Sequence, residues 1–546
     1  NLLGVLYSQI GNYEESIKNY SKAIKLNPGY FEAYNNIGVA HTKWKKTNKA
    51  IECFDRAIQI NPSYAEAYNN KGNSLKDNGE YGLAVESYER SVVLNPNYID
   101  AIANLGIIWD LMNDFAKSER YFRQALLLGP KNITILYNLA NCLFNAKDFK
   151  KAIEICSKII ALDASFYYAY NRMGLCYIQL GDEEKSKAFF EKALQIRPDY
   201  VEGLTNYGFV LRKLRNYSLA TVQFKKALSI DPNSNEALVN LVEAYFNEGF
   251  LPKAIDLATK GLISKPNNIP LLKNLIQSLI LLDRLEEASS ACKKLLSINK
   301  NDADALNVMG LIYERKGYFK DAKDHFLKAL KLNKNLVLAK INIATLYQLE
   351  GKIEAANKIY TDLLKEHPKN PEVLYRQSAF ALMFESFEEG WKNYEYRWKV
   401  SPQKGIIWPI QDRPVWKGER GKRVVLWREQ GIGDQIIFLS LVQEVKEMCE
   451  TLSVYVDPRL QALCERAMPG INFVKDKEEL KNVECDYHMP LGSVPRLLRN
   501  NIRDFDRTVK GYLKANPERV EAIRTELNLD YKTIIGISWR SFNSLN

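Results

Sequence analysis

Six residues, Glu429-Gln430-Gly431-Ile432-Gly433-Asp434, follow the apolar run Val424-Val425-Leu426-Trp427 and lead straight into an amphipathic helix over 435–448. Paired glycines allow a tight turn at the end of a strand, and the helix start offers N–H groups to an anion or a sugar. Ligand contacts are therefore expected at Gln430, Gly431, Ile432 and Gly433. The run is not a dinucleotide fingerprint, because the position three after Gly433 is Ile436 and not glycine, which argues against a nicotinamide enzyme. Asp434 also suits a plain N-cap. His41, His325 and His367 stand singly, and the eight cysteines form no C-x-x-C pair, so neither a metal nor disulfides are expected. His488, in Asp486-Tyr487-His488-Met489-Pro490, reads as a loop histidine, with a place in the cleft as the alternative.

Such a loop needs a sheet to hold it. Short apolar runs at 424–427, 452–456, 471–474 and 533–537 read as buried strands, with helical stretches near 434–450, 458–467, 490–500 and 516–527. Strands alternating with helices call for a parallel sheet covered on both faces. Residues 421–532 are thus expected to form an α/β, Rossmann-like domain.

The first two-thirds of the chain obeys another period. Glycine recurs at Gly4, Gly38, Gly72, Gly106, Gly174, Gly208 and Gly310, always 34 residues or a multiple of 34 apart. Twelve residues after the mark stands a small residue, such as Ala50, Ala84, Ala152 and Ala220 or Ser16, Ser118 and Ser186; twenty-four after it stands a proline, such as Pro28, Pro62 and Pro96. Small residues let two helices approach, and the proline ends the second. A hairpin this short cannot bury a core alone, so residues 1–398 are expected to stack as an α-solenoid. The register gives a partial repeat over 1–30, ten repeats over 31–370 and a degenerate capping unit over 371–398. Aromatic residues three after the mark, Tyr7, Trp109, Tyr177, Tyr245, Tyr313 and Tyr347, read as core.

Two residues before the mark stands asparagine: Asn36, Asn70, Asn104, Asn138, Asn206, Asn240, Asn274 and Asn342, interrupted by Arg172 and Val308. A column on the first helix of each hairpin lines the inner surface of the stack. A carboxamide both donates and accepts, so the column suits gripping the backbone of an extended peptide. The competing reading is that these side chains serve helix packing.

The glycine, alanine and proline columns resemble the tetratricopeptide repeat, and the asparagine column is similar to that of the long helical transferases that add N-acetylglucosamine to proteins. Gly390-Trp391 through Arg397-Trp398, then Pro414-Val415-Trp416-Lys417-Gly418, resembles the junction of bacterial proteins that join these repeats to a glycosyltransferase-like domain. The aromatic cluster at 387–398 is expected to seal the solenoid, and 399–420 to form an ordered linker anchored by Trp408 and Trp416.

Strand, glycine loop and helix together resemble the N-terminal half of glycosyltransferase family 9, the heptosyltransferase-like enzymes. That resemblance implies a two-domain GT-B architecture, a nucleotide-sugar donor without metal or other cofactor, and Asp434 as the base that deprotonates the acceptor hydroxyl. It also implies that residues 533–546 begin the donor-binding domain, with Arg540 and Ser541 facing the donor phosphates. The chain opens inside a repeat and stops before a second domain, so it reads as cut at both ends and is expected to be inactive as it stands.

Composition sets outer bounds. At 546 residues the chain exceeds one hydrophobic core, and 46% hydrophobic with 26% charged residues is ordinary for a folded, cytoplasmic protein. The net charge of +11 is spread along helices without a basic stripe or stacking platform, so nucleic acid is not an expected partner. No apolar run approaches the ~18 residues of a membrane span. The expected function is sugar transfer from a nucleotide-sugar to an acceptor recruited by the solenoid, a protein being one candidate. The alternative is a non-catalytic scaffold for protein–protein interaction.

Overall fold

The computed structural model describes residues 2–400, 410, 412–429, 431–507 and 512–526. Two compact units divide the chain, Asn1–Asn274 and Leu275–Asn546, with the division inside the helix Ile269–Leu281. An α-solenoid of helix hairpins covers most of the chain, from Leu2–Gln9 paired with Tyr13–Leu26 to Pro371–Met383 paired with Phe387–Tyr394.

The register glycines have a steric cause. An aromatic ring of the second helix lies against each: Tyr20 on Gly4, Phe54 on Gly38, Tyr88 on Gly72, Phe122 on Gly106, Phe190 on Gly174, Phe224 on Gly208 and Phe326 on Gly310. A Cβ at any of these glycines would sit 2.5–2.7 Å from the ring. Where the mark is larger, the residue in the ring's register is smaller, as in Ala140 with Cys156, Val242 with Ala258 and Ile276 with Cys292, all buried. Ala344 beneath Tyr360 keeps a ring over a methyl group. Ser16, Ser118 and Ser186 tie the two helices further, each donating to the carbonyl of its own register glycine at 2.7–2.8 Å. The first helices also touch across repeats, Phe31–Lys43 on Ala65–Asp77 and Ala65–Asp77 on Ile99–Leu111, so they form an inner row. The aromatic column three after the mark borders the core: Tyr245 is buried, the other five are half-buried, and Trp109, Tyr177, Tyr313 and Tyr347 pack against core clusters. Lys117 lies 3.8 Å above Trp109 and Lys323 4.5 Å from Tyr347, so lysines cover the outer side of these rings.

The C-terminal region contains β1 (Arg423–Trp427), β2 (Thr451–Tyr455), β3 (Asn472–Val474) and β4 (Tyr487–Pro490). They form one small parallel sheet in the order β3-β2-β1-β4. Both faces of β1 are buried: Val424 and Leu426 join Leu452, Val454, Phe473 and Met489 on one side, while Val425 and Trp427 join Tyr455 and Val474 on the other. The helix expected over 434–450 is two shorter ones, Ile432–Leu439 and Val442–Lys446, and the stretch near 490–500 holds only short turns at Leu491–Ser493 and Pro495–Leu498. This small sheet is less than the Rossmann-like domain expected, and the strand expected at 533–537 lies outside the described residues.

His488 sits on β4 rather than in a loop, and only 1% of it is exposed. Trp427 Nε1 donates to its Nδ1 at 2.9 Å, and burial lowers its pKa, so it is a core residue and not part of a cleft. Of the linker, Trp408 lies outside the described residues. Trp416 is fully buried; its backbone N–H donates to the His488 carbonyl at 2.8 Å and its indole N–H to the Glu419 carbonyl at 3.0 Å.

Candidate functional site

Much of the asparagine column is tied into the solenoid itself. Asn70, Asn104, Asn206 and Asn342 each donate to another asparagine in the preceding repeat, namely Asn35, Asn69, Asn171 and Asn307, at 2.9–3.0 Å. Asn240 turns back instead to the Glu236 carbonyl. At these five positions the packing reading applies to one N–H of each amide. Asn206 and Asn240 are buried, whereas Asn36, Asn70, Asn104, Asn138, Asn274 and Asn342 are half-buried on the inner row. The acceptor asparagines were a second column in the same 34-residue register, unread because it is sparser.

Those acceptors are held in turn. Asn35 donates to Glu66 at 3.3 Å and Asn171 to Glu202 at 3.0 Å, while the Tyr64 and Tyr200 hydroxyls donate to the same carboxylates at 3.0 and 2.9 Å. Burial and the adjacent carboxylates push both phenols upward. The inner row is therefore a chain of oriented amides with rigid backing, which suits backbone recognition.

At the other end, the solenoid does not close on solvent. Its last turn, Glu395–Lys399, sends Arg397 into the sheet domain, where none of the side chain is exposed. Arg397 donates to both oxygens of Glu429 at 2.9 and 3.0 Å, to Ser493 Oγ at 2.8 Å and to Glu395 at 2.7 Å. Its guanidinium lies 4.5 Å from both the Tyr394 and Trp398 rings. Trp391 packs on one face of the sheet and Trp398 on the other. Glu429 follows β1 and Ser493 follows β4, so Arg397 fills the space outside the carboxyl ends of these neighbouring strands. In open α/β sheets that switch point is the usual ligand crevice. Gly492 completes the seat: its N–H donates to Glu429 at 2.9 Å, and a Cβ there would overlap the same carboxylate.

Burial pushes the Glu429 carboxyl up to about 7, with Arg397 pulling the other way. A folded-state value above the unfolded one contributes stability that is present below about 4.5 and lost as pH rises through about 7. The melting temperature of the second unit is thus expected to fall between pH 5 and 8, and Glu429→Gln to flatten that slope. Calorimetry across this range checks it.

The glycine loop lies beside this plug. The helix Ile432–Leu439 has Gly431 as N-cap, and Asp434 stands in its first turn. Asp434 is exposed, so it complements the helix dipole without being the cap residue. Gly431 has φ −60°, which any residue adopts, and a Cβ on Gly433 would meet nothing within 4 Å. Neither glycine is thus required by the turn or by packing; what Gly433 provides is open surface. Ile432 is half-buried and packs against the sheet core. Beyond β2, Asp457 accepts from Arg459 at 2.9 Å and is held at about 2, chiefly by that contact, while its N–H donates to Gln435 at 2.9 Å. Gln430, Arg540 and Ser541 lie outside the described residues.

Models of the tetratricopeptide repeat match residues 31–64, 65–98, 111–171, 167–200, 201–234, 303–336 and 339–370, and a TPR repeat model matches 4–43. The solenoid belongs to the tetratricopeptide repeat family. Protein FlbA of Caulobacter vibrioides is 25% identical over 307 residues, 51% of this chain and 50% of FlbA. The BBSome complex member BBS4 of Mus musculus is 27% identical over 127 residues, 23% of this chain and 24% of BBS4. The chain thus spans half or less of the curated relatives it matches. A solved structure, YrrB, described as a TPR protein with an unusual peptide-binding site, is 22% identical with a TM-score of 0.30, covering 34% of this chain and 95% of YrrB.

Among the described residues of this tetratricopeptide repeat chain, no cluster of His, Cys, Asp and Glu is arranged to hold a metal, and no helix is long and apolar enough to cross a membrane. All eight cysteines are free, and burial pushes the Cys156 and Cys292 thiols up to about 12.

Proposed function

We propose that this protein is a cytoplasmic interaction scaffold whose inner helix row holds an extended segment of a partner protein. The observation that carries this is the row itself: half-buried amides in regular register, several fixed by hydrogen bonds to the repeat before. Sequence-independent main-chain recognition needs oriented donors and acceptors at a repeating spacing. Backbone N-methylation of a bound peptide tests it: alternate N-methyl groups should weaken binding at least tenfold in fluorescence anisotropy, and unchanged binding would remove the amide row from recognition.

A second reading is favoured by the position of Asp434, an exposed carboxylate just beyond β1 beside a surface that Gly433 leaves open. On this reading the α/β region is the acceptor-side half of a GT-B-type glycosyltransferase, Asp434 taking the proton of the acceptor hydroxyl. A nucleotide-sugar donor would then meet Arg540 and Ser541, with Gln430 and Gly431 beside the acceptor. General-base catalysis contributes about 10²–10⁴-fold. Asp434→Asn is therefore expected to lower nucleotide-sugar turnover by at least ~100-fold with an unchanged melting temperature. Equal turnover would exclude Asp434 as the base, and absence of turnover in the unaltered protein would leave the scaffold.

A further inference from the structure

The second helices of the hairpins leave a groove that the inner row does not use. Phe115–Leu128 and Phe149–Leu162 flank it, and the first helix between them, Ile133–Asn145, supplies part of its floor. The cavity measures about 790 Å³ and opens to solvent. Leu136, Leu139 and Ile155, all buried, form the apolar bottom, and Leu127 stands 83% exposed on one wall. Three cations line the groove from both flanking helices, Arg120 and Arg123 on one and Lys158 on the other, against one carboxylate. That carboxylate, Glu119, is paired with Arg123 at 2.7 Å. Arg120 and Lys158 are exposed and make no ion pair among the described residues. The groove between Thr47–Ile60 and Tyr81–Leu94 differs in both respects: it measures about 410 Å³ and carries Asp55, Glu80 and Glu86 against Lys71. A basic rim over an apolar floor is therefore a local feature and not a habit of the solenoid.

Both walls are helices, whose backbone groups bond within their own elements, so an extended strand laid here would find no edge to pair with and would leave its own N–H and C=O groups on an apolar floor. A partner helix closes those bonds internally and can turn one apolar face inward. We propose that this groove docks an amphipathic helix of a partner protein, with an apolar stripe on Leu136, Leu139 and Ile155 and flanking Asp or Glu residues meeting Arg120 and Lys158. The 14-residue flanking helices are each about 21 Å long, room for a docked helix of roughly four turns. Opposite charge on rim and partner speeds the encounter and selects against basic helices. The site uses none of the inner-row amides and does not rest on their reading as a peptide site.

The test is a phage library of peptides of about 18 residues, long enough to form a helix, with leucine fixed at helical spacing and the other positions randomised, selected on the full chain. Recovered peptides are expected to carry Asp or Glu beside the leucine stripe and to gain helical circular dichroism on binding. Fluorescence anisotropy should show at least about tenfold weaker binding to Arg120→Glu/Lys158→Glu, and changing the acidic positions of the peptide to Lys should restore binding to that variant. Leu127→Ser should also weaken binding. Arg120, Lys158 and Leu127 are exposed, so the melting temperature of each variant should not change. A proline at the centre of the peptide should abolish binding; its tolerance would mean an extended occupant and overturn the proposal. Displacement of the peptide by an equal concentration of dodecanoate would assign the groove to an acyl anion instead. Recovery of no peptide, of peptides without acidic bias, or of peptides bound equally by Arg120→Glu/Lys158→Glu would also overturn it. Extended peptides held by the inner row should bind that variant unchanged, so failure of the groove leaves the inner row standing.

Discussion

Arg397→Met is expected to destabilise the second unit by about 3–5 kcal/mol, the range found when one partner of a buried ion pair is removed. Methionine keeps the length and most of the packing between Tyr394 and Trp398, so the loss isolates the charge. What remains is Glu429, its side chain 2% exposed, facing Gly492 N–H with no cation. Protonation relieves part of that penalty, so the deficit should be smaller at pH 5 than at pH 8. Glu429→Gln added to Arg397→Met should recover part of the stability, because an amide keeps one acceptor for Gly492 without the buried charge. Urea unfolding followed by tryptophan fluorescence reads the effect, since Trp391, Trp398, Trp416 and Trp427 all lie at this junction. A deficit below about 1 kcal/mol, typical of an exposed pair, would mean that Arg397 is not structurally coupled to the sheet.

That junction bears on function because the crevice between β1 and β4 is already filled by the chain itself. A ligand of the sheet domain must therefore approach from the side of Gly433 and Asp434, or displace Arg397. The first route leaves the hydrogen bonds of Arg397 to Glu429, Ser493 and Glu395 intact, and the exposure of Asp434 suits it.

The solenoid was legible in the sequence because each repeat reports the same constraint again. Glycine at one place and a ring sixteen residues later is a contact repeated seven times, and period alone reveals it even though the ring was not recognised as the cause. The asparagine column was legible as a column, but its partners Asn35, Asn69, Asn171 and Asn307, one place earlier in the register, occur in too few repeats to mark a column by period alone. The sheet domain was read less well. Tyr487-His488-Met489-Pro490 looks like a turn because proline and histidine are poor strand signals; here Pro490 ends the strand, and the backbone of Pro414 and Trp416 pairs with His488. Arg397 and Glu429 lie on different elements, and no periodic pattern relates such a single long-range ion pair. Asp434 was visible as a residue in a loop; its exposure, and the open space over Gly433, required coordinates.

The ring-on-glycine contact makes the last prediction a matter of volume. Phe224 is fully buried against Gly208, and Phe224→Ala should cost about 3–5 kcal/mol through lost burial and the cavity left behind. Gly208→Val should cost about 1–3 kcal/mol for the opposite reason, since its branched side chain meets a ring already 2.5 Å from where a Cβ would stand. The next repeat in sequence carries Val242 and Ala258 at these two places, both completely buried. Gly208→Val with Phe224→Ala therefore reproduces a combination that the same chain already packs. The double variant is expected to be more stable than the sum of the single losses by about 1–3 kcal/mol, the range for residues in direct contact. Strict additivity in urea unfolding would show that valine does not enter the space the ring vacates, and that each hairpin sets its helix spacing by some means other than this pair.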